Sequence, residues 1–170
     1  MSSPLKLILI SGFGLLLSGC GFQPMYGDAS LQATHTPLQG NLAIDTMKGR
    51  EGQILKAALE DIFNPEGIKF ARPDYHLQIS LTKNLVASVV KPDGTIQRYD
   101  VRYDSSFNLY QTGNPKPLLS GKLRRVGSYD VTTTAEFSTF MADRDTAERT
   151  LKEMAEDYML RLSGYFAGKS

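Results

Sequence analysis

The residue that most invites chemistry is a thiol. Cys20 is the single cysteine among 170 residues, so no internal disulfide can form. The two histidines, His35 and His76, lie near neither Cys20 nor each other in a metal-ligand spacing. Serines are frequent, yet no Gly-x-Ser-x-Gly elbow occurs, and Gly12-Phe13-Gly14, the start of a dinucleotide loop, falls in an apolar leader. Glu60, Asp61 and the acids of the last helical stretch have the spacing of a solvated face, not of facing carboxylates. No enzyme, metal or dissociable cofactor is expected. The remaining candidates are basic. Arg98 and Arg102 alternate with Asp100 and Asp104, which predicts pairing among those four. Lys91, Arg124 and Arg125 have no acid immediately beside them, and phosphate contact and plain exposure stand level for them. Tyr99, Tyr103, Tyr110 and Tyr129 are expected in the sheet and core.

What precedes Cys20 says what the thiol is for. One positive charge, Lys6, is followed by an apolar run from Leu7 to Leu17, the pattern of a secretory leader. The run is far short of the roughly 20 apolar residues that span a bilayer. It ends in Leu17-Ser18-Gly19-Cys20, a match to the bacterial lipobox, whose small residues let an extended chain enter a peptidase after the thiol has taken lipid. Residues 1–19 are therefore a removable signal, and Cys20 carries a covalent acyl anchor. Several acyl chains, at about 0.8 kcal/mol per buried CH₂, make a stable attachment. Gly21 follows the cysteine where an Asp would signal retention at the inner membrane, so the sorting pattern favours the outer membrane. Residues 20–40, rich in Gly, Pro, Gln and Thr, form a tether and lead-in loop reaching on the order of 25 Å.

About 150 residues remain, enough for one domain with a real core. With 41% hydrophobic and 22% charged residues the chain is a folding one, and 19 Lys+Arg against 18 Asp+Glu exclude the basic excess of a nucleic-acid binder. Within 41–170, residues 41–47 make a short strand and 50–63 an amphipathic helix, stopped by Asn64-Pro65-Glu66-Gly67. From Tyr75 the odd positions Leu77, Ile79, Leu81, Leu85, Ala87 and Val89 are apolar, a long strand with one buried face. Lys91-Pro92-Asp93-Gly94 turns the chain into a second strand, with Tyr99, Val101, Tyr103, Phe107 and Leu109 on one face. Residues 118–131 form a third, whose alternation slips at Arg124-Arg125 and predicts a bulge there. A helix over 143–166, capped by Asp145 with Glu148 or starting earlier near Thr139, buries Ala147, Leu151, Met154, Ala155, Tyr158, Leu162 and Tyr165. The expected fold is α+β in the order β-α-β-β-β-α: a four-stranded sheet, antiparallel but mixed at the first strand, with both helices on one face.

Three features together resemble the LPS-assembly lipoprotein family (LptE), in its short alphaproteobacterial form. They are the opening Cys20-Gly21-Phe22-Gln23-Pro24-Met25-Tyr26-Gly27, the element order, and Ser128-Tyr129-Asp130-Val131 leading through Phe137 to a closing helix with Asp145, Arg149, Leu151, Arg161, Leu162 and Phe166. The resemblance implies a non-enzymatic role: a lipid-anchored protein on the periplasmic side of the outer membrane, seated in the lumen of the large LptD β-barrel. There it would assist barrel assembly and lipopolysaccharide delivery. It also implies lipopolysaccharide contacts from basic residues near a strand-turn tip, which points to Lys91 first and, more weakly, to Arg144; Arg124 and Arg125 join them as exposed cations. The alternative is a stand-alone periplasm-facing lipoprotein that binds a small lipid or cell-wall fragment. Under either reading Cys20→Ala leaves the protein without lipid. Loss of metabolic acyl labelling and release from the detergent phase on partitioning is the expected result.

Overall fold

The computed structural model describes residues 38–65, 67, 71–132 and 135–168, so residues 1–37, with the signal, Cys20 and the tether up to Pro37, lie outside it. Six elements follow in the expected order: β1 (Leu42–Ile44), α1 (Gly49–Phe63), β2 (Tyr75–Val90), β3 (Ile96–Gln111), β4 (Leu119–Asp130) and α2 (Glu136–Ala167). They build one four-stranded sheet in spatial order β1-β2-β3-β4. β1 runs parallel to β2 across the α1 crossover, and the other two pairings are antiparallel hairpins.

The alternation that defines the strands also defines the core. Leu77, Ile79, Val101, Tyr103, Phe107 and Leu109 turn one way, onto Leu55, Ala58, Leu59 and Phe63 of α1 and Leu151, Met154, Ala155, Tyr158 and Leu162 of α2. Both helices thus roof a single sheet face, and the even-numbered residues of β2, β3 and β4 form an open one. α2 is laid along the sheet by a series of contacts. Thr146 and Thr150 rest on Gly127 of β4, Tyr158 meets the Phe107 ring at 5.1 Å, and the Phe166 ring stands edge-on to Tyr75 at 5.3 Å. The Tyr158 hydroxyl is shared with Ser105 inside the core, and burial pushes it up to about 12. Burial likewise raises the Tyr103 hydroxyl, with Asp143 and Glu51 adding to the effect; among the described residues it is the buried side-chain polar atom without a hydrogen bond.

Four local expectations are corrected. The first strand is three residues, not seven, because the chain leaves β2 at Asp45 and dips to bury Met47 before Gly49 (φ 81°) opens α1. No bulge occurs at Arg124-Arg125: β3 and β4 pair without a break from Leu109–Leu119 to Arg98–Asp130. The alternation slips there because three inward positions of β4, Gly121, Arg125 and Gly127, serve close approach and pairing, while Leu119, Leu123 and Tyr129 keep the apolar pattern. The irregularity lies instead in β2, between Ala87 and Val90. α2 starts at Glu136, so Asp145 and Glu148 cap nothing and form i,i+4 pairs with Arg149 and Lys152. Finally, the buried face of β2 ends early. Lys83 occupies an inward position, its ammonium held at 3.0 Å from Asp143 of α2 and 3.4 Å from Glu51 of α1. Beyond it Leu85, Val86, Val89 and Val90 are 41–53% exposed.

The seat of α2 on β4 is testable at Gly127. A Cβ there would fall on Thr150 Oγ1 and lie 2.6 Å from Thr146 Cγ2. Gly→Ala in a strand is ordinarily favourable on entropic grounds. Gly127→Ala should reverse that sign and cost about 1–3 kcal/mol, read as a lowered melting temperature, with Thr150→Ala restoring part of it.

Candidate functional site

The cationic candidates are placed by the hairpin, the open face and the roof. Lys91 begins the β2–β3 turn, where its N–H donates to the Thr95 carbonyl at 2.9 Å and its carbonyl accepts from Gly94 N–H at 2.9 Å. Gly94 takes φ 83°, as the Asp-Gly pair predicted. The Asp93 carboxylate accepts the Thr95 N–H at 2.9 Å, which holds it below the usual carboxylate value. A lowered aspartate contributes fully above its ordinary range and loses that contribution as pH falls through its lowered value, so the Asp93–Thr95 contact is present at neutral pH. The Lys91 side chain is exposed and has no ion-pair partner among the described residues.

The arginines separate. Arg124 faces the open side and its Nε donates to Asp104 at 2.5 Å. Arg125, one residue on, points under the roof. Its Nε and a terminal nitrogen fork onto the Asp157 carboxylate at 2.5 and 2.6 Å, with Glu153 at 3.8 Å. Arg144 stands in α2, with its guanidinium 5.6 Å from the Phe140 ring centre. The expected pairing of Arg98 with Asp100 is replaced by Arg98–Asp130 at 2.8 Å across β3 and β4, which raises the arginine and lowers the aspartate. Arg102 is exposed with no ion-pair partner among the described residues. Lys91, Arg124, Arg125 and Arg144 therefore do not converge on one point.

The register orders the open face into cross-strand rows: Gln78–Asn108–Ser120, Ser80–Ser106–Lys122, Thr82–Asp104–Arg124, Asn84–Arg102–Val126 and Val86–Asp100–Ser128. The middle rows carry short side chains and leave a shallow basin of about 480 Å³. Sequence reasoning missed this basin, and it missed Lys83. The signal for Lys83 was present, a lysine on the otherwise apolar odd face of β2. The basin carried no such signal, because it exists only once three strands are in register.

An apolar end lies beyond the Lys83 pair. Leu85, Val86, Val89 and Val90 of the hairpin, and Phe137 (75% exposed), Phe140 and Met141 of α2, are uncovered. Val86 belongs to the open face and Leu85 to the roofed one, so the exposed apolar residues lie on both faces of the hairpin arm.

Two solved structures share this architecture. A crystal structure of a candidate lipoprotein from Caulobacter crescentus superposes with a TM-score of 0.64 at 23% identity, covering 80% of this chain and 96% of that one. A minor lipoprotein from Acinetobacter baumannii superposes at 0.60 with 12% identity, covering 74% of this chain and 92% of that one. The fold is shared. No protein-family model and no curated protein matches the sequence.

The two neighbouring arginines should behave differently on truncation. Arg124→Ala removes an exposed pair and should change stability by less than about 0.5 kcal/mol. Arg125→Ala removes a forked, partly covered one and should cost about 1 kcal/mol after allowance for solvent screening. Urea midpoints of the two variants provide the comparison.

Proposed function

We propose that this chain is an outer-membrane lipoprotein, acylated at Cys20, that assembles with a large LptD-like β-barrel, fills its lumen and assists passage of lipopolysaccharide to the outer leaflet. Its role is structural and carrier-like, without bond-making chemistry.

The observation that carries the reading is the length and the polarity of the sheet. The chain joins the body at Leu38, which is buried in the core although the sequence places it in the tether, and at Asn41, whose carbonyl accepts the Tyr75 N–H at 3.2 Å and whose side chain exchanges hydrogen bonds with Asp74 at 2.7 and 2.8 Å. The Lys91 tip lies at the opposite end of β2, a strand of 16 residues. At about 3.3 Å per residue that is about 50 Å, against about 40–45 Å for a bilayer with its headgroups. A body rooted at the periplasmic leaflet is long enough to present its tip at the level of the other leaflet. The open face is polar and largely self-neutralised by Arg98–Asp130 and Arg124–Asp104. That suits the wet wall of a barrel lumen. The tip joins Lys91 to uncovered valines, a pairing of cation and apolar surface that matches a phosphorylated amphiphile. The fold shared with two lipoproteins supports the same reading.

Extraction of outer membranes in mild detergent should co-purify a heat-modifiable β-barrel with this protein, and depletion should lower both assembled barrel and surface lipopolysaccharide. A monomer with no barrel, and normal surface lipopolysaccharide after depletion, would sink the reading. Lys91→Glu should weaken lipopolysaccharide binding by about tenfold while the barrel still co-purifies.

A further inference from the structure

We infer that the basin on the open sheet face is a second anion site, built around Lys122, that holds a phosphorylated sugar headgroup away from the hairpin tip. The basin lies over the Ser80–Ser106–Lys122 and Thr82–Asp104–Arg124 rows. Lys122 and Arg124 stand along the β4 side. Short hydroxyl side chains on β2 and β3 beside two long cationic ones on β4 make a hollow in a sheet face that would otherwise be level.

Its hydrogen-bonding capacity is lopsided. The one carboxylate, Asp104, already accepts from Arg124 Nε at 2.5 Å and from Asn84 Nδ2 at 3.4 Å. The hydroxyls of Ser80, Thr82 and Ser106 and the ammonium of Lys122 have no partner among the described residues. Arg124 keeps the donors of its terminal nitrogens. The three hydroxyls can each donate or accept, Lys122 and Arg124 only donate, and these two cations exceed the one carboxylate by one. A ligand with acceptor oxygens and negative charge answers that excess, and a phosphate ester has both. No aromatic side chain lines the basin, so a sugar would be held by its hydroxyls and its phosphate, not by ring stacking. A volume of about 480 Å³ exceeds what a bare phosphate fills and lies within the 300–1,000 Å³ span of small-ligand sites. That the headgroup belongs to lipopolysaccharide rests on the proposed function; the anion site itself does not.

The test uses the acylated full-length protein in detergent micelles, titrated with glucose 1-phosphate, glucose and inorganic phosphate while the backbone amide resonances are followed. Glucose 1-phosphate should saturate shifts at Ser80, Thr82, Ser106 and Lys122. Lys122→Ala should weaken it by about tenfold, Lys122→Arg by no more than about threefold, and Lys116→Ala, in the β3–β4 turn, not at all. Equal binding of glucose, unaltered affinity in Lys122→Ala, or inorganic phosphate binding as tightly as the ester would each overturn the inference. Barrel co-purification with Lys122→Ala separates the two claims. Its loss in the wild type alongside intact sugar-phosphate binding would remove the proposed function and leave this site standing.

Discussion

Two helices roof the central strands of this sheet, 16 residues each, unevenly, and one ammonium marks where the cover over β2 stops. Lys83 sits on the inward face of β2 one step before Leu85, which is 49% exposed, while in that same next row Val101 of β3 is buried and α2 rests on Gly127 of β4. Lys83 is pinned by Asp143 from α2 and Glu51 from the first turn of α1. A lone lysine on that face would be costly to desolvate; between two carboxylates, and part-exposed, it is tolerated. Along β2, packed core residues lie on one side of it and side chains 41–53% exposed on the other. That one position divides the strand into a stretch under the helices and an arm that is open to solvent.

The body is made by closeness on one edge. Gly121 admits the Phe107 ring and Gly127 admits Thr146 and Thr150, so α2 settles onto β4 at a distance that larger side chains would forbid. That proximity lets Arg125 reach Asp157 and lets Tyr158 reach Ser105. Arg124 and Arg125 are adjacent in sequence yet opposite in role. The pleat sends one to the open ladder and the other into the seam between sheet and helix.

Much of this was legible in the chain. The period-two runs of β2 and β3, the Lys91-Pro92-Asp93-Gly94 turn and the apolar stripe from Ala147 to Leu162 are local patterns, and local patterns survive folding. The misreadings share one cause. At Arg124-Arg125 the slip in alternation reported a long-range pairing to Asp157, 32 residues away, and Lys83 finds Asp143 across 60 residues. Nothing in a window of ten residues reveals such a partner. The end of β2 was read as buried because its valines keep apolar character without a roof, and the start of α2 was missed because Phe137 and Phe140 face solvent where a cap signal was sought. The basin needed three strands in register before its rows existed. The Leu17-Ser18-Gly19-Cys20 motif is of another kind, complete within four residues, and it lies outside the described residues.

The root of the domain has a mechanical meaning. Any pull from the N-terminal side is met first by the buried Leu38 and by the Gly40 N–H on the Phe63 carbonyl at 2.9 Å, and then by the Asn41–Asp74 clasp and three residues of parallel pairing between β1 and β2. These contacts lie at the edge of the sheet, because β1 pairs with β2 alone. The point where the lead-in joins the domain is thus secured by a core side chain as well as by the edge, and the long antiparallel ladders stand one strand removed from it.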